Sequence, residues 1–579
     1  MKYSCLAILA CLLTIGLTAQ NLQIIKTVGQ QTTEPKDASQ DGWETNEWNG
    51  NFFYQAKSSG TFKLAVTDGT SSGTVVIADF GNASVTNTIP AADFMYFFTN
   101  EVVTTPSFGI KEKIWKSDGT TAGTVLVKEF DAHSFSIGGV DAGTDGQNER
   151  NYSVAGNILY FTGYDAINGG EPWRTDGTAA GTYLVKNIKA GAGASFADGY
   201  IKMGGLVYFR AAAVGNGAVL WQTDGTEAGT VSIDVPNLTV WSTTIAKVNN
   251  KLVFIGNDNF VTGAEPWVSD GTIAGTFQLK DINPGSPNST TAVVENIHLR
   301  YSESCVYFVA TDGANIALWA TDGSIAGTRQ LTANGVYSGT NYSGGGFCHV
   351  SNAGAYWIND NSKLYFTDGT PAGTRLVRNN LVNSIFLTVY KGAAWFNSGA
   401  AGFREMWKSD GTAGNTNQAL DILPGAGESY PYGLFVKNNF LYFFARNASA
   451  VQLFRYNGDM TFNGSVPSGL WTDSLNWNAG MPPGITDTVF INGGTPVTPT
   501  ITGSPAYSGV LNLAAGATLH IASDSDSLWI NAGINSNNGT ITGNGTVVLQ
   551  NLGSRTVLLN GDINTQRVTV AGKASVQSG

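Results

Sequence analysis

Beyond its first nineteen residues the chain holds only two cysteines, Cys305 and Cys348. A disulfide framework is thereby excluded as the source of its stability. Both are read as small buried side chains, with a Cys305 to Cys348 bridge as the alternative. Positive charge is also scarce. Thirty-two Lys and Arg stand against 43 Asp and Glu, a net charge of −11, and no basic cluster interrupts that balance. Nucleic acid and anionic lipid, which reward clustered cations, are disfavoured as partners. After the N-terminus no window approaches the roughly 18 unbroken apolar residues of a membrane span, so no membrane insertion is expected of the mature chain. Histidine occurs only as His133, His298, His349 and His520. None has metal-ligand spacing, and neither CxxC nor HExxH is present.

The N-terminus itself is informative. Lys2, the apolar run "CLAILACLLTIGL" and the small-residue site "LTA" before Gln20 read as a secretory signal peptide over residues 1–19. A lipoprotein cleavage site at Cys11 is the alternative. The expected location is therefore secreted or cell-surface. With 11% aromatic residues, fourteen Trp among them, and 13% charged ones, the chain has ample apolar material for a core.

One phrase recurs eight times: KLAVTDGT, KIWKSDGT, EPWRTDGT, VLWQTDGT, EPWVSDGT, ALWATDGS, KLYFTDGT and EMWKSDGT. Its aspartates are Asp68, Asp118, Asp176, Asp224, Asp270, Asp322, Asp368 and Asp410, spaced by 42 to 58 residues. Periods of this size mark propellers and arrays. Around Asp270 each period divides into four strand-like pieces, "STTIAKV", "KLVFIG", "EPWVSDG" and "TFQLKDI", separated by turn signals. Second strands such as "ILYF", "LVYF", "CVYFV" and "FLYFF" are apolar throughout, so both faces of each sheet must be covered. Radial stacking of sheets does this, and a two-sheet sandwich does not. "LQIIKTVG" at Leu22 resembles a fourth strand with nothing before it, and the last unit, ending "QLFRYNGD", lacks a fourth strand. The first piece therefore completes the last blade. The expected fold is all-β, a β-propeller of four-stranded blades over residues 20–462, with nine blades predicted from nine second strands and eight as the alternative.

The eight octapeptides resemble those of the ELWxxDGT repeat proteins, bacterial secreted or surface proteins associated with type IX secretion. The resemblance covers roughly residues 22–460. The chain departs from the pattern at the leading Glu, present only as Glu171, Glu265 and Glu405, and in the missing Asp-Gly-Thr of the ninth unit.

In Ser/Thr-Asp-Gly-Thr the carboxylate caps a tight loop, Gly permits positive φ and Thr bonds locally. The eight Asp are read as structural turn residues. Calcium is the competing reading, but one carboxylate per loop falls far short of the six to eight oxygens that ion takes. Trp115, Trp173, Trp221, Trp267, Trp319 and Trp407, always on the third strand, are read as core rather than as a sugar-stacking surface. Ser71 in "GTSSG" fits G-x-S-x-G by letter only, since its sister loops carry Ala there. His298 and His349 fall on first strands, which line a propeller's channel. The longest interval carries a polar insertion at 131–150, where Asp131, His133, Asp141, Asp145, Glu149 and Arg150 are the candidate ligand-face residues, able to hold a cation or a polar ligand. No catalytic, cofactor or metal residues are assigned. The expected function is a non-enzymatic binding, adhesion or display platform whose partner is a glycan or a surface protein. The alternative is a carbohydrate-active enzyme with two carboxylates on one face.

From residue 463 to 579 the phrase is gone. "GLWTDSLNWNAG" opens a segment of short β runs with Asn and Gly turns, read as the start of a β-solenoid. Its opening resembles the W-x5-W start of β-helical modules in bacterial adhesins. With no cap evident at "KASVQSG", the segment is expected to be truncated and a sorting domain to be missing.

Overall fold

The structure is a computed structural model that describes residues 22–29, 46–131, 152–289, 300–332, 347–550 and 558–571, apart from short interruptions within these ranges. Nine antiparallel sheets follow one another along the chain, over 46–79, 84–129, 152–184, 198–233, 239–278, 300–330, 347–378, 385–420 and 432–456. We number them blades 1 to 9. Eight are built wholly from consecutive strands. In blade 9 the outermost position is taken by the N-terminal strand Leu22–Gly29, which runs antiparallel to Ala450–Tyr456 with Leu22 opposite Tyr456 and Ile24 opposite Phe454. The chain is a nine-bladed β-propeller, closed by its own first strand as the unmatched ends of the sequence implied.

Apolar second strands find cover on both faces. In blade 3 Leu159 and Phe161 pack with Phe98 and Ile114 of blade 2, while Tyr160 between them packs with Val207 and Phe209 of blade 4. Alternate residues of one strand thus serve two neighbours, because successive side chains of a strand point to opposite faces. Each of the nine blade interfaces has its own hydrophobic cluster. The cluster between blades 9 and 1 closes the ring, with Phe435 stacked on Phe52 at 3.9 Å and Phe444 near Tyr54 at 4.9 Å.

Both the innermost and the outermost strands are interrupted in several blades. Register shifts interrupt the first strands of blades 2, 4, 8 and 9. In blade 5 the strand foreseen in "STTIAKV" is found as Ala246–Val248, and a second short piece before it, Thr239–Val240, also pairs with Lys251–Asn257. Bulges of this kind bend a strand and re-aim its side chains. The turn that follows, Asn249 and Asn250, has both residues at positive φ (46° and 56°), the geometry that matches strand twist in a two-residue hairpin.

The C-terminal segment has another pairing rule. Strand Asp459–Phe462, which the sequence reading left with the propeller, pairs in parallel with Thr488–Ile491. Two parallel sheets follow, in which Thr488 faces Val510, Thr518 faces Thr540 and Ile541 faces Ile563. One apolar cluster fills the space between them, anchored by Trp471 and Trp477, whose indole N–H donates to the Trp471 carbonyl at 2.7 Å. Asn476, fully buried, ties the opening loop by donating to the Leu470 carbonyl and accepting from the Val466 N–H.

Candidate functional site

The repeated phrase lies in the turn between third and fourth strands and closes on itself through a recurring set of hydrogen bonds. In all eight copies the Asp Oδ1 accepts the N–H of the residue two further on at 2.7–2.9 Å and its hydroxyl at 2.6–2.7 Å. That hydroxyl oxygen accepts in turn from the later glycine N–H, as from Gly275 to Thr272 at 3.0 Å. A hydroxyl pair across the loop mouth, 2.6–2.8 Å apart, joins the residue before each Asp to the closing Thr. The glycine after each Asp has φ between 82° and 93°, where a Cβ is strained. At the later glycine a Cβ would overlap the carboxylate, 2.1 Å from Asp270 Cγ at Gly275. Only the eighth copy lacks this glycine. Asn415 stands there and donates its amide to Asp410 Oδ2 at 2.6 Å.

The eight carboxylates sit below their ordinary range. At Asp118, Asp176, Asp224, Asp270, Asp322 and Asp368 the Thr or Ser hydroxyl bond is the main cause. At Asp68 and Asp410 burial, which pulls upward, is the largest single influence, and the hydrogen bonds together outweigh it.

The phrase also locks blade to blade. A tyrosine from the second strand of the preceding blade lies against the first glycine, so that a Cβ at Gly271 would come within 2.4 Å of Tyr208 Oη, at Gly225 within 2.7 Å of Tyr160 Oη, and at Gly69 within 2.4 Å of Tyr442 Oη. The last pair again joins blade 9 to blade 1. Burial raises the pKa of Tyr208, and the neighbouring blade's Asp270 adds to it.

The third-strand tryptophans are core. Trp173, Trp221, Trp267 and Trp319 are buried, with Trp115 and Trp407 half-buried. Cys305 is buried in the cluster between blades 6 and 7, with its Sγ 3.9 Å from the Val306 carbonyl. His349 lies on the first strand of blade 7, Phe347–Ser351, and His520 Nδ1 is 3.3 Å from Thr542 Oγ1 in the C-terminal sheets. Ser71 is exposed in its turn. Among the described residues no group of three or more His, Cys, Asp or Glu is placed to hold a metal ion.

At the opposite end of the blades lie the loops between second and third strands and the connections from one blade to the next. Here a feature that sequence reading missed recurs three times. Glu171, Glu265 and Glu405 are buried on third strands, and their carboxylates reach the following connection. Glu265 Oε2 accepts the Ile282 N–H at 2.9 Å and Oε1 the Asn283 N–H at 3.3 Å; Glu171 accepts from Ile188 and Lys189, and Glu405 from Ile422 and Ser429. A buried serine follows each Glu by 24 residues, Ser195, Ser289 and Ser429. Its N–H donates back to the carbonyl just before the Glu, as from Ser195 to Gly170 at 2.9 Å. The serine spacing was the available signal. Burial pushes Glu265 up to about 7 and raises Glu171. With both oxygens of Glu265 turned to backbone N–H groups and none of the residue exposed, this shift belongs to a latch and not to an acid that meets substrate.

Of the candidate ligand-face residues, His133, Asp141, Asp145, Glu149 and Arg150 lie outside the described residues. Asp131 is exposed, and its Oδ2 accepts the Ala166 N–H at 3.0 Å. Asp165 holds the same turn from within, accepting from Ile167 and Asn168. Two carboxylates therefore meet at the loop between second and third strands of blade 3. Burial pulls Asp165 up, yet the bonds from Asn168 and Ile167 outweigh it and leave its pKa low, the wrong direction for a general acid.

The same face also exposes large apolar side chains: Val102 near the end of the second strand of blade 2, Ile167, Val261 and Phe403 in loops between second and third strands, Phe196 and Val382 in connections, and Trp241 just after the short strand Thr239–Val240 of blade 5.

No known protein family matches the chain, and no curated protein matches it. Among solved structures it is similar to the β-propeller domain of the Trilobed protease from Pyrococcus furiosus, at 8% identity over 65% of this chain and 94% of that one with a TM-score of 0.31. It is similar to the Niastella koreensis GH74 enzyme, at 11% identity over 75% and 74% with a TM-score of 0.33. It is also similar to Sqt1 of Saccharomyces cerevisiae, at 8% identity over 75% and 100% with a TM-score of 0.36. The blade count and the closure rest on the chain's own strand pairing.

Proposed function

We propose that this is an exported, non-enzymatic binding or adhesion protein of the ELWxxDGT repeat type, displayed on a cell surface or secreted by the type IX route. The propeller is its platform. The parallel C-terminal segment is a β-solenoid spacer, a reading supported by strand partners that recur 22 residues on, as from Thr518 to Thr540. The single observation that carries the binding role is the contrast between the two ends of the ring. One end is made of eight near-identical turns closed by the same internal hydrogen bonds, two of which also expose Ile273 and Ile325. The other carries loops that differ from blade to blade in length and sequence and expose Ile167, Phe196, Trp241, Val261 and Phe403, the kind of variable loop where binding residues concentrate.

Purified mature protein screened by pull-down against surface extracts and by array against glycans is expected to give a stable complex that substitutions on the loop end weaken. Steady release of cleaved product from a polysaccharide, with no stable complex, would contradict the reading.

A further inference from the structure

Phe196 stands out on the loop end. Its ring is 60% exposed, and its backbone is left-handed with φ 51°, a strained state for a bulky residue. The backbone on either side is held firmly. Ser195 N–H donates to the Gly170 carbonyl of blade 3, Ala212 N–H of blade 4 donates to the Ser195 carbonyl at 2.8 Å, and the Thr162 hydroxyl donates to the Ala197 carbonyl at 2.5 Å. The corresponding residue after the third latch, Tyr430, shares the left-handed backbone (φ 45°) but is buried beside Arg404 and Arg446. At the two latches where this residue is described the backbone is left-handed, and of the two rings Phe196 is the one that faces outward.

A second exposed ring is tied to the first. Two residues after Phe196, Asp198 pairs with Arg210 through both guanidinium arms, Nε to Oδ1 at 2.5 Å and Nη2 to Oδ2 at 3.1 Å. The same Arg210 donates through Nη1 to the carbonyls of Val240 and Trp241 at 3.1 and 3.0 Å. Trp241, 40% exposed, is thereby fixed to the strand that supports Phe196. Both rings sit on hydrogen-bonded backbone, so little entropy is lost when a ligand stacks on them.

The polar groups near the rings come from blades 3 and 4. Asp198 and Arg210 cancel. Lys189 lies over the Phe196 ring at 5.7 Å, and the Asn187 amide donates to Asn168 Oδ1 at 2.8 Å beside the exposed Ile167. Flat rings flanked by amides suit a ligand with one apolar face and a rim of hydroxyls. The chain's net charge of −11 disfavours a polyanion. We infer that Phe196 and Trp241, clamped by Arg210, form a stacking platform for a neutral polysaccharide across blades 3 to 5. This deepens the binding reading above and rests on it.

The test is migration of the mature protein through native gels containing β-glucan, xyloglucan or galactomannan, with an anionic polysaccharide as control. At least one neutral polymer is expected to retard the wild type. Trp241→Ala and Phe196→Asn should each weaken retardation roughly tenfold, as removal of a central aromatic does. Asn tolerates the left-handed backbone, so Phe196→Asn should melt no lower than wild type while binding less. Retardation unchanged by both substitutions, or none by any neutral polymer, would overturn the inference. If the loop end instead captures a protein, and the same substitutions abolish that capture, the polysaccharide assignment falls while the binding platform stands.

Discussion

Each letter of the phrase has a separate physical duty, so single substitutions in one turn should separate them. Gly271→Ala places a Cβ at φ 93° and 2.4 Å from Tyr208 Oη, and Gly275→Ala drives one into Asp270. Each should cost about 2 kcal/mol or more, from left-handed strain and overpacking. Gly414→Ala, with nothing within 4 Å of the added carbon, should stay within about 0.5 kcal/mol. Melting temperatures check the order, and equal effects at the three sites would contradict it. Asn415 shows how a side chain can occupy the Gly275 position, by bonding the second carboxylate oxygen, so Gly275→Asn should be milder than Gly275→Val. The acid response follows from the same turns. Their aspartates are held below the ordinary value of 3.8, so their contribution is present above that pH and is lost as pH falls through the depressed folded values. A melting temperature that falls steeply below about pH 4 is expected, and an unchanged one between pH 5 and pH 2 would contradict it.

At the scale of strands and loops, the glutamate latches couple a third strand to the connection that follows. Glu265 has an ordinary value of 4.5 and a folded value of about 7. Its protonated form is favoured in the fold, so the stability it confers is complete below about 4.5 and is lost as pH rises through about 7. Glu265→Gln keeps the shape and removes the titration. The variant's melting temperature should therefore gain on the wild type's between pH 4.5 and 7, and a difference constant with pH would contradict the assignment. The latches also show where sequence reading stopped. The turn chemistry was legible because its partners lie within seven residues of one another. The tryptophans were legible because a position repeated inside an apolar strand is a packed position. Glu171, Glu265 and Glu405 were visible as letters, but their acceptors' partners lie 17 to 24 residues away across an irregular connection. Phe196 and Trp241 were missed for the opposite reason: they do not repeat, and six repeated tryptophans drew attention to the core. The bond from Ala166 to Asp131 depends on how two loops meet, which the sequence alone does not show.

For the molecule as a whole, the ring is a chain of nine interfaces in which no blade has a core of its own. Apolar strands that looked over-hydrophobic for a half-exposed sheet are explained by this arrangement, as is the scarcity of cysteine. Nine blades lie beyond the common range of four to eight, and every joint has its own apolar cluster, with a second-strand tyrosine against the turn glycine at several of them, as at Gly69, Gly225 and Gly271. Closure is the exception, since it depends on residues from opposite ends of the propeller sequence. That claim is tested by replacing Gln23 and Arg455, which face each other across the closing strand pair, with cysteine in a chain lacking Cys305 and Cys348. A closed ring predicts an intramolecular disulfide under mild oxidation, formed in the monomer and raising the melting temperature. A chain that stays reduced, or that cross-links only between molecules, would contradict the ring.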